Sequence, residues 1–154
     1  MVLGSLLILG EEIGWRGFLL QRMAMVLPRG RAWLATGAFH AVFHLPLLLL
    51  TTTYQSAGNR LIVVPLVMVS ITFAGVGYAW IREQSGGIWA VGVMHNTFNT
   101  IFEMLTVSAV AGSAATLAYV TTETGVVTMI TVGAVGAGLL KLRRSTPQPT
   151  AVHR

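Results

Sequence analysis

The chain contains no cysteine, which excludes a disulfide framework, a Cys-ligated metal and a thiol nucleophile, and leaves the redox compartment unmarked. Charge is nearly as scarce. Of 154 residues, 10% are charged and 54% hydrophobic, with a mean hydropathy of +0.71. That composition belongs to a bilayer and not to a soluble core. The net charge of +5 comes from basic residues scattered singly between apolar segments. They form no basic stripe with interleaved aromatics, so nucleic acid is not an expected partner and the charges read as topology signals. No positive region precedes the first apolar run, so no signal peptide is expected. There is also no internal repeat.

What the chain does have is five apolar segments, set against the roughly 20 residues a helix needs to cross the hydrocarbon. They are Met1 to about Leu27, Ala32–Leu50, Leu61–Ile81, Ile88–Leu105 and Gly125–Leu140. Pro28-Arg29-Gly30-Arg31 separates the first two, the polar stretch Thr51–Asn59 the next two, and Arg82-Glu83-Gln84-Ser85-Gly86-Gly87 the third and fourth. Thr106–Thr124 reads as a loop or interfacial stretch. The predicted fold is an all-α polytopic transmembrane helical bundle of about five spans, with a membrane domain over residues 1–142 and a disordered basic tail over 143–154. If the segments alternate direction, one side receives Arg22, Arg29, Arg31, Arg82, Lys141, Arg143, Arg144 and Arg154, and the other only Arg60. The positive-inside rule then makes the first side, and the C-terminus, cytoplasmic. The expectation is an integral membrane protein, in the plasma membrane of a prokaryote.

Glu11-Glu12-Ile13-Gly14-Trp15-Arg16 does not belong in a lipid-facing helix. Ionisable groups at membrane depth mark functional sites facing protein or water, although a buried ion pair can also be a packing device. Partners occur at matching depth. At about 1.5 Å per helical residue, Glu11, His44 and Asn99 lie ~20 Å from the cytoplasmic ends of their segments, and His40 and His95 ~14 Å. His40 and His44 share one face of the second segment; His95, Asn99 and Glu103 share one of the fourth. A single cavity between the first, second and fourth helices would accommodate them. No serine stands beside these histidines at a suggestive spacing, so activated water is the natural nucleophile. A carboxylate held out of bulk water is a stronger base, an imidazole orients the same water, and a second imidazole and a carboxamide are donors to an oxyanion. Glu83, Glu103, Glu123 and His153 read as ordinary interfacial or tail residues.

Glu11-Glu12-x-x-x-Arg16, then His44 followed by Leu45-Pro46, then His95-x-x-x-Asn99, resemble the motifs EExxxR, FxxxH and HxxxN of the CPBP family. These are intramembrane proteases that include the CAAX prenyl endopeptidases and the bacterial Abi bacteriocin-processing or immunity proteins. The likeness spans about Gly10 to Thr100 and departs at one position, where His40 replaces the phenylalanine of the second motif. The resemblance implies a peptidase in which Glu11 and His44 activate water, His95 and Asn99 form the oxyanion site, and Glu12 and Arg16 support the first motif. His40 is a possible additional site residue. The family carries several helices before the acidic motif, so a chain lacking those N-terminal helices is expected. The implied substrate is a membrane-associated protein or peptide, of CAAX or bacteriocin type. A zinc enzyme is the rival mechanism, with Glu11, His44 and His95 as ligands and His40 available at i, i+4 to His44. The resemblance favours the metal-free glutamate mechanism. Outside the enzyme class, the same groups would suit a non-catalytic immunity or binding protein, or a proton-coupled transporter.

Overall fold

The structure is a computed structural model of the chain and describes residues 2–51, 58–108, 119, 120, 122 and 124–145. Its long elements are all helical, as the apolar segments predict, and no strand occurs among the described residues. The first segment is one rod made of α1 (Val2–Glu12), a π-helical stretch (Ile13–Leu19) and α2 (Leu20–Val26). The π-helical stretch departs from the plain α-helix expected there. Leu27 ends the rod because the ring of Pro28 disfavours helical geometry in the residue before it, and Leu27 is extended at φ −124° and ψ 149°.

Helix α3 (Arg29–Leu50) follows directly, then α4 (Arg60–Ser85), α5 (Trp89–Ser108) and α6 (Val126–Ser145). Asn59 caps α4 by accepting from the Leu61 amide at 2.9 Å. Gly86 ends it in the left-handed conformation at φ 68°, where a residue without a Cβ carries no strain. The last two helices outrun their sequence boundaries: α5 takes in residues 106–108 and α6 residues 141–145. Most of the expected loop (109–118, with Gly112 and Ser113), Glu123 and residues 146–154 of the expected tail, with His153, lie outside the described residues. Helices α3 and α4, and Val126–Arg143 of α6, are long and apolar enough to cross a membrane. The first rod is interrupted by its ionisable cluster, and α5 carries His95, Asn96, Asn99 and Glu103. Large apolar side chains including Leu6, Leu7, Phe18, Phe39, Phe43 and Ile130 point outward, as a lipid-facing surface requires.

Helix α4 is the centre of the bundle, packed along α3 and α6 and touching α5 and the π-helical stretch. Its contact with α3 is backbone to backbone. A Cβ on Gly75 would stand 2.6 Å from the Gly37 Cα, and one on Gly37 would overlap the Thr72 carbonyl oxygen. Small residues permit this approach where lipid gives helices no solvophobic reason to associate. Gly136 of α6 makes the equivalent contact with Phe73, whereas a Cβ on Gly133 or Gly138 would meet nothing within 4 Å. Of these three glycines, then, Gly136 alone packs against another described residue.

Two clusters of buried apolar residues stand out. Leu20, Ala32, Trp33, Val76 and Ala79 form one, with Leu139 and Leu140 against it; Leu48, Val63 and Val67 form the other. Between them lies a layer of buried polar groups comprising Glu12, Arg16, Thr36, His40, Ser70 and His95. At the first cluster's end Trp33 Nε1 donates to Glu83 at 2.8 Å, and Arg29 stands 3.6 Å from the same carboxylate. Glu83 therefore ties α3 to α4 rather than merely marking the interface. Gly75→Ala is expected to destabilise the protein by about 1–3 kcal/mol by forcing α3 and α4 apart. Thermal unfolding in detergent checks this against Gly138→Ala, which should be near neutral.

Candidate active site

The polar layer is built outward from Glu12 and Arg16. Both side chains are fully buried, and Arg16 Nη1 donates to Glu12 Oε1 at 2.9 Å. The same oxygen accepts from His95 Nδ1 at 2.7 Å, which brings α5 onto the first rod. Ser5 adds a longer link to Asn96 at 3.3 Å. The guanidinium lies 4.9 Å from the centre of the Tyr78 ring, and Tyr78 stacks on His95 at 4.9 Å and 25°. A desolvated cation over an aromatic face is stabilised by the ring quadrupole. The absent side chain of Gly75 is part of this fit, since a Cβ there would stand 3.1 Å from Arg16 Nη2. Arg16 is thus held from α4 as well as by its own rod.

One further contact of Arg16 determines a tautomer. Its Nη1 lies 3.3 Å from His40 Nδ1, and a guanidinium only donates. His40 Nδ1 therefore accepts, and the neutral ring carries its proton on Nε2. That nitrogen is 3.3 Å from Glu11 Oε2 and donates to it. Trp15, one residue from Arg16 in the π-helical stretch, stacks on His40 at 5.1 Å and 30° and fixes the ring plane. Widened turns of this kind concentrate at functional sites, and here the turn carries both the stacking ring and the cation. His44 Nδ1 donates to the His40 carbonyl at 2.9 Å, so its Nε2 holds the lone pair.

Glu11, His40, His44, His95 and Asn99 line a single cavity of about 80 Å³, room for several waters. Glu12 and Arg16 stand behind it and do not line it. Asn99 is exposed toward the cavity, and Glu103 is exposed on α5 outside it. The expected cavity between the first, second and fourth helices is incomplete in one respect: α4 forms a wall of it, with Val67, Ser70, Ile71, Ala74 and Tyr78, and α6 adds Thr128. Sequence reasoning passed over Ser70, Tyr78 and Thr128. The available signal was the polar residue in the stripe Val67, Ser70, Ile71, Ala74, whose spacing puts all four on one helix face.

The donor atoms of Glu11, His40 and His44 lie within 4.8 Å of one another. Glu11 Oε2 and His40 Nε2, 3.3 Å apart, are separated by about the edge of a zinc tetrahedron with ~2.1 Å bonds. The grouping differs from the zinc set expected from sequence, because His95 is turned to Glu12 and His40 takes its place. To ligate through Nε2, however, His40 would have to lose the proton there while Arg16 occupies the lone pair of Nδ1. The donor set has the spacing of a metal site but the wrong tautomer.

The sequence profile of the Type II CAAX prenyl endopeptidase Rce1-like family matches residues 1–101, from α1 into α5. The chain belongs to that family. It is accordingly an integral membrane protein and a protease of the CAAX type, in agreement with the CPBP resemblance of its three motifs. No curated protein and no solved structure gives a significant match. Thr128 of α6 falls beyond the matched residues, so the family region alone does not enclose the cavity. Because Arg16 is the permanently charged partner of the buried Glu12 carboxylate, Arg16→Met is expected to cost about 3–5 kcal/mol. Adding Glu12→Gln should recover part of that loss, which thermal unfolding of the single and double variants checks.

Proposed function

We propose that this Rce1-like chain is a metal-free glutamate endopeptidase that cleaves a membrane-associated CAAX-type substrate. The observation carrying this reading is the division of labour between two adjacent carboxylates. Glu12 is fully buried and paired with Arg16 and His95, whereas the Glu11 side chain is 33% exposed and faces the cavity beside His40 and His44. Two carboxylates given different roles by their surroundings are a recurrent arrangement in hydrolases.

In the proposed reaction a water in the cavity donates one hydrogen to Glu11 and the other to His44 Nε2. Its oxygen attacks the scissile carbonyl as Glu11 takes the proton. The carbonyl oxygen becomes an oxyanion and accepts from the Asn99 amide and from His95 Nε2, the latter with both ring nitrogens protonated and Nδ1 held by Glu12. The C–N bond then breaks and Glu11 passes its proton to the leaving amine. His40 holds the Glu11 carboxylate through Nε2–H, the proton that Arg16 assigns to that nitrogen.

An apolar groove of about 340 Å³ between α4, α5 and α6 shares Ala74, Tyr78 and Phe98 with the cavity. It supports a substrate that carries a prenyl chain beside the scissile bond. The basic end of the bundle, with Arg29, Arg31, Arg82 and Lys141, faces the cytoplasm on the positive-inside rule, in a prokaryotic plasma membrane.

Glu11→Gln is expected to reduce cleavage by about 10²–10⁴-fold while leaving the fold intact. Comparing protein termini by mass spectrometry, in membranes expressing either form at matched levels, checks this without choosing a substrate in advance. Identical termini would instead favour an immunity or binding protein. Activity should also persist in a strong chelator; loss that Zn²⁺ restores would overturn the metal-free mechanism.

A further inference from the structure

Helix α4 carries none of the three family motifs, yet its stripe of Val67, Ser70, Ile71 and Ala74 forms one wall of the catalytic cavity. Ser70 is 5% exposed, and its Oγ has no hydrogen-bond partner among the described residues. That is unusual for a hydroxyl on an apolar helix, which ordinarily donates to the carbonyl four residues back. Thr36, Thr51, Thr72 and Thr97 all do so, at 2.8, 2.6, 2.7 and 2.8 Å. Thr72 lies two residues from Ser70 on the same helix, so the local backbone permits the bond that Ser70 does not make. A buried hydroxyl left unpaired is unfavourable, and where one persists in a cavity a bound group is the natural partner.

A peptide entering the cavity meets Glu11, His40, His44, His95 and Asn99 from α1, α3 and α5. Its opposite edge lies along α4 and loses water there. A backbone amide or carbonyl on that edge needs a partner, and Ser70 is the polar side chain in the stripe. We infer that Ser70 is a substrate-binding residue, whose hydroxyl hydrogen-bonds the backbone of the substrate peptide and holds the scissile bond against the Glu11 side of the cavity. This rests on the peptidase reading above and adds to it a contact outside the family motifs.

The test compares wild type, Ser70→Ala and Glu11→Gln of the full chain in detergent, using a prenylated CAAX peptide with a fluorophore and quencher on either side of the scissile bond. Thermal unfolding is measured on the same samples. Ser70→Ala is expected to lower kcat/KM by about 5- to 30-fold, the usual effect of leaving a buried peptide group unpaired. Its unfolding temperature should be no lower than that of wild type. A loss below fivefold overturns the inference. So does a fall of more than about 2 °C in unfolding temperature, which would give the hydroxyl a structural role. If wild type and Glu11→Gln cleave the peptide equally or not at all, the peptidase reading fails and takes the inference with it.

Discussion

The polar layer of the bundle is arranged around one buried ion pair, between Glu12 and Arg16. Neither side chain reaches solvent, and a lone charge at that depth is prohibitively unfavourable, so each requires the other in place. Holding the pair draws in three further helices. His95 of α5 donates to the same carboxylate oxygen as Arg16, Tyr78 of α4 covers the guanidinium, His40 of α3 accepts from it, and Gly75 leaves room for it. The backbone contact between α3 and α4 at Gly37 and Gly75 is therefore a packing seam and, through Gly75, one boundary of the ionic site.

From this follows a chain of hydrogen bonds reaching the cavity-facing carboxylate of Glu11. Arg16 sets the proton of His40 on Nε2, and that proton is directed at Glu11. The phenylalanine of the family's second motif has no such donor. In this chain the position links the buried ionic half of the first motif to its cavity-facing half, and the same proton opposes metal binding at a donor set that otherwise has the right spacing. One substitution within a motif thus bears on how Glu11 is held.

The cavity belongs to more of the bundle than the motifs suggest. Residues 1–101 carry the family likeness, but α4 forms a motif-free wall and Thr128 of α6 adds a residue beyond the matched region. The two apolar clusters above and below hold the polar layer between them, so packing remote from Glu11 controls how closely the wall of α4 faces the histidines.

The helical segments and the common layer of their polar residues are legible in the sequence alone. Both follow from local quantities: apolar run length, the breakers at Pro28 and Gly86, and a fixed rise per residue that sets Glu11, His44 and Asn99 at one level. The sequence also marks which residues depart from lipid, because an ionisable group in an apolar run is visible without coordinates. How Glu11 and Glu12 divide is set by the packing of the helices, since neighbours in a chain are chemically identical until other helices desolvate and pair one of them. The same holds for His40 replacing His95 in the group nearest Glu11, for the tautomer that Arg16 imposes, and for Ser70 and Thr128. Each depends on contacts between helices far apart in the chain, whose rotation about their own axes is set by packing at places such as Gly37 and Gly75 and is not written in the spacing of any one segment.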